Sequence, residues 1–151
     1  MHLPTFAAAL PGLLFAALVT GCAARFEQPD PSAPHAIVAF PSQAHQAGSF
    51  LFLEPVEFNG VPRPQDWMRD SFRVPPGELR LLVRAARESL QGTCLLIFTL
   101  LEGETYAVDA ESTPDAFTIR AARDGRTVSS CDSPKAVLPT PLGLPGGMPP
   151  R

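Results

Sequence analysis

A chain of 151 residues with 12 Lys and Arg against 15 Asp and Glu, a net charge of −3, can bury one hydrophobic core but has no room for two ordinary domains. That near balance argues against a nucleic-acid binder, which needs a clustered basic surface, and against a solvating acidic tail.

The chain opens on Met1-His2-Leu3-Pro4-Thr5 and runs apolar from Phe6 to Thr20, with no Lys, Arg, Asp or Glu before residue 22. A secretory h-region spans roughly 7–15 residues. Pro11-Gly12 in mid-run removes a helical hydrogen bond and lowers helix propensity, so a spanning helix of about 20 apolar residues is the poorer reading. The run closes on Val19-Thr20-Gly21-Cys22. This resembles the lipobox of bacterial lipoproteins, with Val19 as the branched residue, Thr20 and Gly21 as the small pair and Cys22 as the acceptor. The resemblance implies a signal peptide over residues 1–21, a diacylglyceryl group on the Cys22 thiol and, usually, an acylated amine. It also implies a cell-envelope protein held to the membrane by its lipid anchor. Ala23, where an aspartate is linked to inner-membrane retention in some bacteria, points to the outer membrane, facing the periplasm. The sequence departs from the family in having no Lys or Arg in its first residues. An uncleaved anchor and an ordinary signal peptide are the alternatives. Two or more acyl chains hold stably, since each buried CH₂ contributes about 0.8 kcal/mol.

Residues 22–35 read as a tether. Pro29, Pro31 and Pro34 punctuate a polar stretch with no hydrophobic period, which extended would reach about 3.3 Å per residue and lift the domain clear of the headgroups. His35 and His45 have no cysteine or carboxylate at ligand spacing and are expected in solvent.

Residues 36–132 carry the folded domain. Ala36 to Phe40 is a first short strand. Phe50, Phe52, Val56 and Phe58 at period two suggest a long strand, with Pro55 marking an edge or a bulge. Asn59-Gly60 is the strongest short hairpin signal. Trp67 and Met68 precede the strand Ser71 to Val74, and Trp67 is expected to plug or cover the end of a sheet, a ligand platform being the lesser reading. Pro75-Pro76-Gly77-Glu78 is a turn.

From Leu79 to Leu90 two periods compete. Leu79, Leu81, Val83 and Ala85 alternate as in a strand, while Leu79, Leu82, Val83, Ala86 and Leu90 fit one helical face. The neighbouring turns favour a strand through about Ala85. On either reading Arg80 and Arg84 share a face, a small basic stripe that is a solvated surface or a contact for anionic lipid or cell-wall carboxylates.

Gly92 ends the next loop, and Thr93 to Leu101 is apolar except for Thr93 and Thr99, the mark of a central strand buried on both faces. Glu102-Gly103-Glu104 leads into Thr105 to Ala110, Ser112-Thr113-Pro114-Asp115 into Ala116 to Ala121, and Asp124-Gly125 into Thr127 to Cys131. Seven to eight short strands joined by tight turns predict an all-β protein, a small antiparallel β-sandwich. Residues 133–151, rich in proline and glycine, are expected to be a disordered tail.

With Cys22 given to lipid, Cys94 and Cys131 remain as an even pair in an exported protein, where a disulfide forms readily. It would close about 38 residues, contributing about 4 kcal/mol at most in the chain-entropy model. Two free thiols are the alternative; with no histidine nearby the pair falls short of a four-ligand zinc site.

The Asn59-Gly60 turn, Val74-Pro75-Pro76-Gly77 leading into Leu79 and Leu81, Gly103-Glu104-Thr105-Tyr106 leading into Val108, and Asp124-Gly125-Arg126 are similar to features of small bacterial lipoproteins with a β-sandwich mature part. The proline-glycine turn before an alternating strand also resembles cell-surface modules of the PEGA type. These resemblances speak for fold and carry over no catalytic residue.

No Gly-x-Ser-x-Gly elbow and no phosphate-cradling glycine loop occurs. Asp109 with Glu111, and Asp66, Asp70 and Glu78 near Trp67, are the carboxylates to consider, and neither group commits the chain to a reaction. No metal and no cofactor are expected. The preferred expectation is a non-enzymatic binding or structural module, docking an envelope protein or cell-wall polymer through a patch of Trp67, Arg80 and Arg84. The alternative is a small hydrolase or ligand carrier with a pocket between the sheets.

Overall fold

Turn chemistry and period-two burial fold the chain into strands. The computed structural model describes residues 24–41, 45–46, 49–64 and 69–137. Among these the strands are β1 (Ala36–Ala39), β2 (His45–Gln46), β3 (Ser49–Phe50), β4 (Phe52–Phe58), β5 (Val61–Pro62), β6 (Ser71–Val74), β7 (Gly77–Arg87), β8 (Leu90–Leu100), β9 (Thr105–Ser112), β10 (Ala116–Arg123), β11 (Arg126–Pro134) and β12 (Ala136–Val137). Two five-stranded sheets, ordered β11-β10-β9-β1-β6 and β12-β8-β7-β4-β5, pack across one core, and β2 with β3 forms a separate ribbon. The expected all-β sandwich is the observed one, with eight strands of four residues or more. One neighbour pair departs from the antiparallel pattern: β1 runs parallel to β9, with Val38 opposite Tyr106.

The turns follow their residue types. Asn59 and Gly60 both take positive φ, 52° and 78°, as do Asp124 and Gly125 at 50° and 72°, the geometry that matches a two-residue turn to strand twist. The stretch Leu79 to Leu90 is resolved as strand, β7 reaching Arg87 and turning through Glu88 and Ser89 into β8. Gly92 therefore lies inside β8 rather than ending a loop. A Cβ there would stand 2.6 Å from Ser133 Oγ, so the close crossing of β11 requires glycine.

Three further expectations are corrected. β8 is not buried on both faces: Cys94, Leu96, Phe98 and Leu100 point inward, while Leu95 and Ile97 are 44% and 47% exposed. In β4 the side chains do not keep one phase. Phe52 is exposed and Phe58 buried, because the register against β7 shifts between Pro55 and Glu57 and a bulge exchanges the faces. The folded part also extends past residue 132, since β11 continues through a buried Ser133 and β12 adds to the edge of β8. The rest of the expected tail, from residue 138, lies outside the described residues, as does the expected signal peptide.

Between the sheets lie Phe58, Phe72, Leu79, Leu81, Leu96, Tyr106, Phe117 and Ile119, each such apolar side chain contributing about 1.5–3 kcal/mol by leaving water. Tyr106 also links the sheets, its hydroxyl donating to Thr99 O at 3.1 Å and accepting from Leu101 N at 3.0 Å.

The two open flanks are closed by different means. On one, a disulfide joins Cys94 of β8 to Cys131 of β11, Cα atoms 6.2 Å apart, and Ile97 N donates to Ser129 Oγ at 3.2 Å. On the other, the segment expected to be a free tether docks as a strap. Phe26 stacks on Phe58, ring centroids 4.4 Å apart, and its N–H donates to Pro62 O at 2.8 Å. Gln28 Oε1 accepts from Arg73 N at 2.8 Å, and Arg73 Nε donates to Pro29 O at 3.1 Å. The strap thus hydrogen-bonds to β5 of one sheet and β6 of the other.

Candidate functional site

Side chains on β7 alternate, so Arg80, Leu82 and Arg84 share the outer face of the β4-β7-β8 sheet. The register sets Leu82 between Leu95 of β8 and Glu57 of β4, Arg80 opposite Ile97, and Arg84 between Thr93 and Glu54. Leu82, Leu95 and Ile97 therefore make a row of aliphatic side chains on the solvent side. Beside it a shallow groove of about 240 Å³ is lined by Glu57, Gly60, Arg80, Leu82 and Leu95.

The two arginines of the expected stripe have different employment. Arg84 is ion-paired to Glu54, which is only 5% exposed and is also held by Arg63 at 3.1 Å. That triad is structural, because a buried carboxylate deprived of a partner is strongly destabilising. Arg80 is exposed, with no ion-pair partner among the described residues; only its backbone is engaged, by the Asn59 side chain and N–H. Trp67, expected to share a patch with these arginines, and Asp66, considered as a carboxylate near Trp67, lie outside the described residues, as does Cys22.

The opposite outer face has another character. Asp109 and Glu111, the carboxylate pair considered from the sequence, both meet Arg120, at 3.2 and 3.4 Å. Thr118 Oγ1 donates to Asp132 at 2.6 Å. A groove of about 440 Å³ there is lined by Thr105, Ala107, Asp109, Arg120, Ala122, Asp124, Gly125 and Thr127. Arg120 bridges the two carboxylates and offsets one of their two charges, all three side chains being more than a third exposed.

The remaining candidates are not brought together. Asp70 precedes β6 in one sheet and Glu78 lies on β7 in the other, both exposed. His35 Nδ1 donates to Ala33 O at 2.7 Å, a local contact, and His45 belongs to the β2–β3 ribbon. Among the described residues no three His, Cys, Asp or Glu converge as a metal site, and no helix is long and apolar enough to cross a membrane.

The aliphatic row is what sequence reasoning missed. Its signal was present in Leu95 and Ile97, but an apolar run reads alike whether its second face is covered by protein or left to solvent. Comparison with protein-family models, curated proteins and solved structures finds no match to this chain.

Proposed function

We propose that the chain is a membrane-anchored envelope lipoprotein whose mature domain is a non-enzymatic binding module, docking a protein partner on the outer face of β7 and β8. The observation that carries this reading is the row of exposed Leu95 and Ile97 with half-buried Leu82, beside Arg80. A protein interface takes an apolar centre with arginine at its edge, whereas a glycan polymer calls for aromatic platforms. The anchor is supported by Val19-Thr20-Gly21-Cys22. Against a pocket carrier or hydrolase stands the aromatic filling between the sheets, Phe58, Phe72, Tyr106 and Phe117 all being buried; the grooves described lie on the outer surfaces.

The test leaves Arg84 in place, because its partner Glu54 needs it. A variant with Leu95→Asp and Arg80→Glu should keep the wild-type melting temperature. A photoreactive side chain at Thr93, beside the row, should cross-link one dominant envelope protein in cells, and the double variant should weaken that cross-link at least about tenfold, or about 1.4 kcal/mol. An undiminished cross-link in a folded variant would remove this face from the proposal.

A further inference from the structure

We propose that the strap flank of the sandwich rests directly on phospholipid headgroups, with the strap serving as a short leash. The inference builds on lipidation of Cys22 and adds an orientation to it.

Phe26 is fixed to the core by its stacking on Phe58 and to the edge of one sheet by its bond to Pro62. Only four residue steps separate it from Cys22, at most about 14 Å of extended chain. Were the strap free up to β1, the 14 steps from Cys22 to Ala36 would reach about 46 Å. A domain of this length has a radius of gyration of about 13 Å and hence a diameter of roughly 35 Å. A leash of about 14 Å cannot bring the far side of such a body to the bilayer. It brings down the side on which it is fastened.

That side offers contacts for phosphate oxygens. Arg25, exposed, directly precedes Phe26, and a groove of about 300 Å³ is lined by Gln28, Ile37, Arg69, Ser71, Phe72 and Arg73. Guanidinium groups donate well to phosphate. Glu27, Asp30 and Asp70 lie along the same flank and balance the arginines, so charge alone does not hold the domain down. The leash sets the orientation and the arginines make contact once it is set. The outer face of β7 and β8 is then left open for a partner.

The experiment is neutron reflectometry of the lipidated full chain on a supported bilayer of phosphatidylethanolamine and phosphatidylglycerol. Wild-type protein should form a layer contiguous with the headgroups. Inserting about eight Gly and Ser residues after Ala24 leaves the core untouched and adds on the order of 15 Å of average reach, which should open a water gap of that order. Phe26→Ser, if its melt stays cooperative, should open one too. A resolved water gap beneath the wild-type layer, or an insertion variant that stays flush, would overturn the proposal. Failure of the anchor itself has another signature: an extracted protein whose mass carries no acyl chain, or a Cys22→Ala variant that remains in the membrane fraction.

Discussion

The two flanks of the sandwich solve one problem by opposite means. Neither β11 against β8 nor β5 against β6 is joined by a continuous ladder between the sheets, so each gap needs another closure. On the β8–β11 side the closure is covalent, Cys94 to Cys131, reinforced by Ser129 and by β12 on the edge of β8. On the β5–β6 side it is a strap with one aromatic plug and a few hydrogen bonds. The first is stable wherever oxidation is maintained. The second needs no oxidant and rests wholly on non-covalent contacts of one short segment, Phe26 to Pro29.

The largest expected effect comes from unfastening the covalent side. Replacing Cys94 and Cys131 together by serine should cost about 3 kcal/mol, a fall of roughly 12 °C in Tm for a domain of this size. Calorimetry of the wild type with and without reductant should reproduce it. An unchanged Tm would mean that β12 and Ser129 suffice and the flanks are alike. Next in size is Gly92→Ala, whose Cβ meets Ser133 Oγ at 2.6 Å and Phe117 Cδ2 at 3.0 Å. Overpacking there should cost about 1–3 kcal/mol, read as a lower urea midpoint at constant m, with Ser133→Gly recovering part of it.

The smallest effect belongs to the strap. Asp30 accepts from Ser32 Oγ at 2.6 Å and from Ser32 N at 2.8 Å, and these bonds, with a lesser contribution from the Arg73 charge, hold its carboxyl below its ordinary value of 3.8. A depressed carboxyl stabilises the fold above the ordinary value and loses that contribution as pH falls through the folded one. Hydrogen exchange should therefore show Ser32 N–H losing protection in strong acid, with Asp30→Asn abolishing the step. A protection factor at that amide that stays constant through the acid range would show that Asp30 plays no part in ordering the strap.

Much of the fold was legible because local chemistry and tertiary context agree. Ser71–Val74 is the strand its pattern indicates, and Asn59-Gly60 and Asp124-Gly125 are the hairpin turns their residues indicate. What could not be read locally depends on distant chain. A lone Phe26 among prolines has no period to show that it stacks on Phe58. The parallel pairing of β1 with β9 joins segments about 68 residues apart, and no local pattern encodes it. The turn at Glu88 has φ of 55° without a glycine to announce it, so local chemistry points too late in the chain, to Gly92, for the end of the β7–β8 connection. For the candidate site the two arginines were visible, but their division of labour was not, since it depends on Glu54, 30 residues from Arg84.

The cross-link between β8 and β11 also determines how the domain would carry mechanical load. Tension applied between the strap and Val137 enters β11 from its C-terminal end and passes at Cys131 straight into Cys94. The 37 residue steps between them, about 130 Å of contour, are removed from the path. β9 and β10 lie wholly within that bypass, so two of the five strands of one sheet are shielded from a pull on the ends, and the load is carried by β1 to β7, by β8 as far as Cys94, by β11 from Cys131 onward and by β12.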